Sequence, residues 1–307
     1  MKSNRTPPKV TKPPPGVLLV DKPSGMTSHD VVDVVRKRAS TKKVGHGGTL
    51  DPMATGLLVL AVGNATKLLP YLSRGDKDYL AGVRLGITTD SDDADGEVAS
   101  EKDVPSFTDE ELADARGSFL GDITQIPPVY SAIKIRGKRA HARARAGESV
   151  EMEPRKVRIE SFDILGSRLP EVDVRIRCSG GTYIRALARD WGDKLGVGAH
   201  ICGLRRLASG LFSVDKAANW SDLIDEKTPL ADVRGWLCPA EALETALGPA
   251  LVLETVLAEK FLHGQEVIAS GDDREEVPVL AHDGRLLGIG QCQLGDRLRP
   301  RRIMSPV

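Results

Sequence analysis

Gly45-His-Gly-Gly-Thr-Leu-Asp-Pro-Met-Ala-Thr-Gly56 runs without a break into Leu57-Leu-Val-Leu-Ala-Val62. The second string is a short apolar run next to turn formers and reads as a strand. The first is a glycine-rich loop with a single carboxylate, Asp51. Glycine lets backbone approach a ligand closely, and a loop seated on a buried strand holds its side chains in place. No Gly-Lys-Ser/Thr ending follows Gly45, Gly47 and Gly48, so a nucleotide-phosphate loop is excluded. Taken alone, Asp51-Pro52 marks a turn and His46 is an ordinary structural histidine. Together, a carboxylate and a polar ring five residues before it suit a nucleophile or base beside a reader of a bound group.

On the N-terminal side, Gly16-Val-Leu-Leu-Val20 reads as a buried strand. It is followed by Asp21-Lys-Pro-Ser-Gly-Met-Thr-Ser28, rich in turn formers. Ser28 is expected to cap a helix reaching about Ala39, with Val31, Val32, Val34 and Val35 on one face. On the C-terminal side, Tyr79, Ala81, Val83, Leu85 and Ile87 alternate as a strand buried on one face does. Val172, Val174, Ile176 and Cys178 repeat that pattern and lead through Ser179-Gly-Gly181 into a helix expected over Thr182–Leu195. Tyr183 and Arg185 fall at that strand-to-helix junction, where a helix N-terminus favours an anion. Tyr79 reads either as core or as a ring that stacks on one extruded base.

The chain has 307 residues, and ~150 residues per domain gives two domains. Lys+Arg and Asp+Glu are both 43, which argues against a wholly basic nucleic-acid binder but not against a local basic face. The longest clean apolar run, Leu57–Val62, is far short of the ~20 residues of a membrane-spanning helix. No apolar leader core follows the charged N-terminus, so a cytoplasmic protein is expected. Cys178, Cys202, Cys238 and Cys292 form no C-x-x-C pair, so the spacing gives no zinc signal.

Charge is segregated. Asp90–Asp114 carries 11 acidic residues against one lysine and reads as a solvated acidic loop, although Asp93 or a neighbour suits an arginine partner. With Ser91, Asp93, Asp95 and Gly96 at calcium-loop positions 1, 3, 5 and 6, position 12 falls on Lys102 rather than on glutamate, so that match fails. Lys134–Arg158 carries nine Lys/Arg against three Glu and reads equally as a solvated face or as a phosphate-gripping arm. Residues 1–15, with five prolines and four Lys/Arg, read as a mobile tail. Composition shifts again at Gly248-Pro249. Beyond it, a hairpin turn at Asp283-Gly284 is expected between Val277–Ala281 and Arg285–Gly290.

These strings, with Gln125-Ile-Pro-Pro-Val-Tyr-Ser-Ala-Ile-Lys134, Gly181-Thr-Tyr-Ile-Arg185, Gly198-Ala-His200 and Leu204-Arg-Arg-Leu207, resemble the bacterial tRNA pseudouridine synthase B family in order and spacing over residues 16–220. The resemblance implies an α+β fold. A mixed, largely antiparallel central sheet is flanked by helices over 16–247, with a basic RNA-gripping insertion at 126–158. A small β-rich, PUA-like RNA-binding domain follows over 248–307. It also implies an activity, the isomerisation of uridine 55 in the tRNA T loop to pseudouridine, with no cofactor and no metal.

Carried over by resemblance, Asp51, Tyr79 and Arg185 are the catalytic residues. Asp51 is the nucleophilic or proton-handling aspartate, Arg185 its ion-pair partner and Tyr79 the stacking ring. The guanidinium is expected to lower the Asp51 pKa and keep it ionised. His46 helps displace the base and contacts RNA, while Tyr183 and Leu204 line the pocket. Lys22 is grouped with the substrate contacts and supports the loop. Asp93 is matched as a partner of Arg185, with Gly45 and Gly48 as structural support; Gly47 needs only to be small. Lys134, Arg139, Arg143 and Arg145 are placed on the RNA backbone. The implied partner is the T stem-loop of tRNA, bound by a monomer without an obligate protein partner. Competing readings are a tRNA-binding chaperone without catalysis and a guide-RNA-dependent synthase.

Overall fold

The computed structural model describes residues 13–131, 133–135, 138–140, 143, 150–269, 271–293 and 295–304, with backbone alone at 134, 135, 138 and 139. Most of the N-terminal tail therefore lies outside the described residues, as does Arg145.

A ten-stranded mixed sheet organises the larger part of the chain. Its main path runs Trp236–Leu237, Gly16–Lys22, Thr55–Val62, Ala199–Ser209, Lys77–Leu85, Glu171–Cys178, Arg155–Arg168 and Gly121–Gln125. Every pairing is antiparallel except one. Ala199–Ser209 runs parallel to Thr55–Val62, with Arg205 opposite Thr55 and Arg206 opposite Gly56. That short parallel contact brings the end of the glycine-rich loop beside the Arg205-Arg206 pair.

The apolar run Leu57–Val62 does not alternate because both of its faces are covered. Leu57, Val59 and Ala61 enter one core with Val17 and Leu19. Leu58, Leu60 and Val62 enter another with Leu18, Val20 and the helix valines Val31, Val32 and Val35. The strand Lys77–Leu85 does alternate, and sends Tyr79, Ala81, Val83 and Leu85 into a third core against the helix Ile184–Lys194. The alternation stops at Leu85. Gly86 adopts φ +84°, and Ile87 opens a separate hairpin, Ile87–Thr89 with Val98–Glu101.

Two boundaries differ from the sequence expectation. The helix Ser28–Arg38 is capped by Thr27, whose side chain accepts from the Asp30 N–H while the Asp30 carboxylate accepts from the Thr27 N–H. That reciprocal capping box satisfies two free donors and releases Ser28 for a contact with the glycine-rich loop. The second helix begins at Ile184, with Tyr183 at the cap position.

A five-stranded sheet, in the order Leu251–Leu253, Arg274–Ala281, Leu286–Gln293, Arg297–Ile303 and Val267–Ile268, forms the C-terminal part. Its hairpin turns at Asp283-Gly284, with Gly284 at φ +81°. Phe261, Val277, Val279, Leu287 and Leu298 fill its own core. Ile289 and Met304 instead join Ala242, Leu243 and the larger sheet, and Arg74 ion-pairs with Glu276 across the junction. Among the described residues, no helix is long and apolar enough to cross a membrane.

Candidate active site

Asp51 is the half-buried tip of a loop held from beneath. Lys22 is wholly buried, and its ammonium donates to the carbonyls of Pro23 (2.9 Å), Met26 (2.6 Å) and Pro52 (3.2 Å). Ser28, freed from capping, accepts from the Leu50 N–H (2.8 Å) and donates to the Leu50 carbonyl (3.0 Å). The residues on both sides of Asp51 are thus pinned to the turn Lys22–Ser28. Burial pushes the Lys22 ammonium down to about 8, against the pull of nearby Asp51. Lys22 is therefore a loop support shielded from substrate, not a substrate contact.

Arg185 comes from the first turn of the helix Ile184–Lys194 and is almost completely buried. Its Nη2 donates to Asp51 Oδ1 at 3.0 Å and to the Tyr130 carbonyl at 2.9 Å. Its Nε lies 2.9 Å from Asp51 Oδ2, as an ion pair whose N–H is not aimed at that oxygen. Its Nη1 donates to the Ser91 carbonyl at 2.7 Å and ion-pairs with Asp93 at 3.1 Å. The expected Asp51–Arg185–Asp93 grouping is present.

The pKa direction of Asp51 reverses the expectation. Burial raises it most, Arg185 pulls it back, and the Asp93 charge raises it further, for a net shift upward. One guanidinium shared between two carboxylates does not offset the lost hydration of Asp51.

The acidic segment is likewise not a solvated loop at its start. Ser91, Asp92 and Asp93 are buried, because two arginines of one helix meet them. Asp92 pairs with Arg189 at 2.8 Å, and burial pushes its carboxyl up to about 6.

Asp51 opens on a cleft of about 240 Å³ that is also lined by Tyr79, Tyr183, Leu204, Lys77 and Arg206. Tyr79 is buried at its floor. Burial raises its phenol pKa, while the Arg206 guanidinium opposes that shift by charge and hydrogen bond. The Tyr183 ring is capped by the Arg155 guanidinium, 5.3 Å from its centroid.

His46 sits on the short strand Val44–His46 outside the residues lining this cleft. Burial lowers its imidazole pKa from its ordinary value, so it is neutral at pH 7. A Cβ on Gly45 would stand 2.9 Å from Leu69, and one on Gly47 3.0 Å from Ser73 Cβ, so position 47 is crowded even for a small side chain. Gly48 needs its φ of +94°. Of the basic arm, Lys134–Ile135 pairs with Lys138–Arg139 as a small hairpin, and Arg143 is half-buried with a partner.

Four further residues build the site. Arg206 is buried, and its Nε donates to the Leu57 carbonyl at 2.7 Å while its Nη2 donates to the Gly48 carbonyl at 3.1 Å. It therefore ties together both shoulders of the Asp51 loop, in the cleft that Tyr79 also lines. Gly56, at φ +99°, must lack a Cβ, which would lie 2.2 Å from the Arg206 carbonyl oxygen. Gln125 donates to the Tyr183 carbonyl (3.0 Å) and accepts from its N–H (2.9 Å). Lys77 donates to the carbonyls of Ser73 and Gly75, both at 2.9 Å, and burial lowers its pKa to about 8. Arg206 stands in the Leu204-Arg-Arg-Leu207 motif and Lys77 two residues before Tyr79, and their burial as charged residues is the signal that marks them.

Comparison with known proteins agrees with this geometry. Residues 36–184 match the model described as TruB family pseudouridylate synthase, N-terminal domain. Residues 185–245 match the tRNA pseudouridylate synthase B C-terminal domain, and residues 249–304 match Pseudouridine synthase II TruB, C-terminal. The tRNA pseudouridine synthase B of Thermobifida fusca is 43% identical over 290 residues, covering 91% of this chain and 95% of the relative. That of Opitutus terrae is 48% identical over 224 residues, covering 73% and 92%. Among solved structures, an H/ACA RNP bound to a substrate RNA containing 2'-deoxyuridine superposes with TM-score 0.70 at 25% identity, covering 95% of this chain and 85% of that one. A carboxylate loop, an arginine clamp and a ring-floored cleft, on a chain matched almost end to end, place this protein in the TruB family of pseudouridylate synthases.

Proposed function

We propose that this chain isomerises uridine 55 in the T loop of tRNA to pseudouridine. The observation that carries this reading is Asp51 held by Arg185 at the edge of a cleft floored by Tyr79. The C1′–N1 bond breaks and a C1′–C5 bond forms, while the proton leaving C5 is replaced by one at N1. Atoms and electrons balance without an oxidant, reductant or energy source. Attack at C1′, attack at C6 and assisted elimination all start from the same ionised carboxylate. Arg185 keeps that charge in place and aims it into the cleft.

The target base must leave its stack, at a cost of a few kcal/mol. Stacking on Tyr79 returns roughly 1–3 kcal/mol, and Leu204 with Tyr183 closes the pocket around the ring. Lys22, Ser28 and Arg206 fix the loop before substrate arrives, so its ordering cost is met in folding. Neutral His46 serves as a hydrogen-bonding reader on the RNA side of the loop.

The basic insertion with Lys134, Arg139, Arg143 and Arg145 grips phosphates. The C-terminal sheet, whose strand Arg297–Ile303 carries Arg297, Arg299, Arg301 and Arg302, extends that grip along the tRNA. The enzyme works in the cytoplasm as a monomer, with tRNA as its one required partner. Incubation with an unmodified tRNA transcript, followed by pseudouridine mapping at nucleotide resolution, tests this reading. Product confined to position 55 is expected. Binding without product would favour a chaperone, and product at other sites would reject the assigned target.

A further inference from the structure

The Asp51–Arg185 pair has a neighbour one helical turn away that the proposed chemistry does not use. Arg189, four residues after Arg185, spreads its guanidinium over three partners. Nη1 donates to Asp92 at 2.8 Å, Nη2 to the Ile126 carbonyl at 2.9 Å and Nε to Asp190 at 2.9 Å. Asp92 stands between Ser91, whose carbonyl accepts from Arg185, and Asp93, whose carboxylate pairs with it. It adopts φ +61°, a strained conformation for a residue that is not glycine, and its side chain is buried.

Both arginines also hold the first residues of the 126–158 insertion. Arg189 takes the carbonyl of Ile126, Arg185 that of Tyr130, and Gln125 is bonded both ways to Tyr183. One helix face thus carries two guanidinium groups that share two ligand segments, residues 91–93 and 126–130.

We propose that Asp92 and Arg189 form a positioning pair, which seats residues 91–93 and 126–130 against the helix and so sets the aim of Arg185 at Asp51. This rests on the reading of Asp51 as the reacting carboxylate. Neither residue touches the cleft or Asp51. Their effect passes through the two shared segments, so their loss is felt in the chemical step rather than in RNA binding.

Two variants test it. Asp92→Asn keeps shape and tolerates the left-handed backbone but removes the charge. Arg189→Lys keeps the charge but, as a single ammonium, does not reproduce the planar fork. Each is expected to lower the single-turnover rate on saturating tRNA about tenfold with Kd within about twofold.

A pH series supplies a readout that a purely structural role would not move. The Asp92 carboxyl faces Arg189, Arg185 and Asp190 from the helix, with Asp93 next to it in its own loop; on the side of the strand Ala199–Ser209 its backbone carbonyl accepts from the Ile201 N–H, while His200 turns to the Ile87 carbonyl. With the carboxyl titrating near 6, the wild-type to Asp92→Asn rate ratio, about ten at pH 8, is expected to shrink towards one at pH 5. The titration of Asp51, common to both proteins, cancels in that ratio. A ratio constant across pH, wild-type rates in both variants, or a rate loss matched by an equal loss of affinity would overturn the proposal. Wild type failing to form pseudouridine at position 55 would instead overturn the underlying reading.

Discussion

Arg185 meets Asp51 through two nitrogens, Nη2 at 3.0 Å and Nε at 2.9 Å, while the same guanidinium serves Asp93 at 3.1 Å. One cation between two carboxylates leaves a buried excess of negative charge. The consequence is an Asp51 that ionises less readily than an ordinary carboxyl group, because burial and Asp93 outweigh Arg185. A raised pKa means that protons compete for this carboxylate at higher pH than usual. Turnover should therefore begin to fall on acidification above the range where a free aspartate titrates. Single-turnover rates measured from pH 8 downwards check the sign.

Tyr79 separates two roles. Its ring lines the cleft together with Arg206. Tyr79→Phe keeps the stacking face, and tRNA affinity should stay within about twofold of wild type, whereas Tyr79→Leu loses a stack worth roughly 1–3 kcal/mol. If the hydroxyl handles a proton, the Phe variant also loses the chemical step. Binding and single-turnover measurements on both variants distinguish these effects, and a fully active Leu variant would make Tyr79 plain core.

Lys22 should matter to folding before it matters to RNA. Lys22→Met leaves the carbonyls of Pro23, Met26 and Pro52 without their donor. Each buried unsatisfied group costs about 1–3 kcal/mol, so a fall of several kcal/mol is expected in denaturant unfolding. The ammonium titrates near 8 in the fold and near 10.5 when unfolded. Between those values the unfolded chain holds more protons, so this group's contribution to stability rises with pH. The stability gap between wild type and Lys22→Met should therefore widen from pH 8 to pH 10.

The basic arm is tested by salt. Replacing Arg139, Arg143 and Arg145 with Ala should weaken tRNA binding and flatten the plot of log affinity against log salt, by roughly one unit for each phosphate no longer gripped. Chemistry on bound RNA should be unchanged. Titrations at three salt concentrations decide, and an unaltered slope would return the arm to ordinary surface.

What was legible in the sequence was local. Asp51, Tyr79 and Arg185 each stand in a short motif whose glycines or alternation announce the loop, strand or junction that carries them. The β-rich C-terminal part is legible in the shift at Gly248-Pro249 and the Asp283-Gly284 turn, whereas the mixed central sheet is implied only by the family resemblance. Asp92, Arg206 and Lys22 share one difficulty, since each turns on an interaction distant in sequence. Nothing near Asp92 signals that Arg189, 97 residues later, will bury it. Arg206 reaches Gly48 across 158 residues, and Lys22 reaches Pro52 across 30. The capping box at Thr27 was readable from Asp30 three residues on. The Ser28 hydroxyl, one residue on, is taken by Leu50 instead. The pKa direction of Asp51 depends on desolvation, which no pairing rule supplies without the fold.

The most direct measurement compares wild type with Asp51→Asn on an unmodified tRNA transcript, under single-turnover conditions with pseudouridine mapped at position 55 and binding measured in parallel. Asparagine keeps the size of the side chain and removes the charge, and Arg185 remains paired with Asp93, so the fold holds. A rate loss of more than ~10³-fold with Kd within about threefold is predicted. Pseudouridine formed by Asp51→Asn at near the wild-type rate would contradict the assignment of this carboxylate to the reaction.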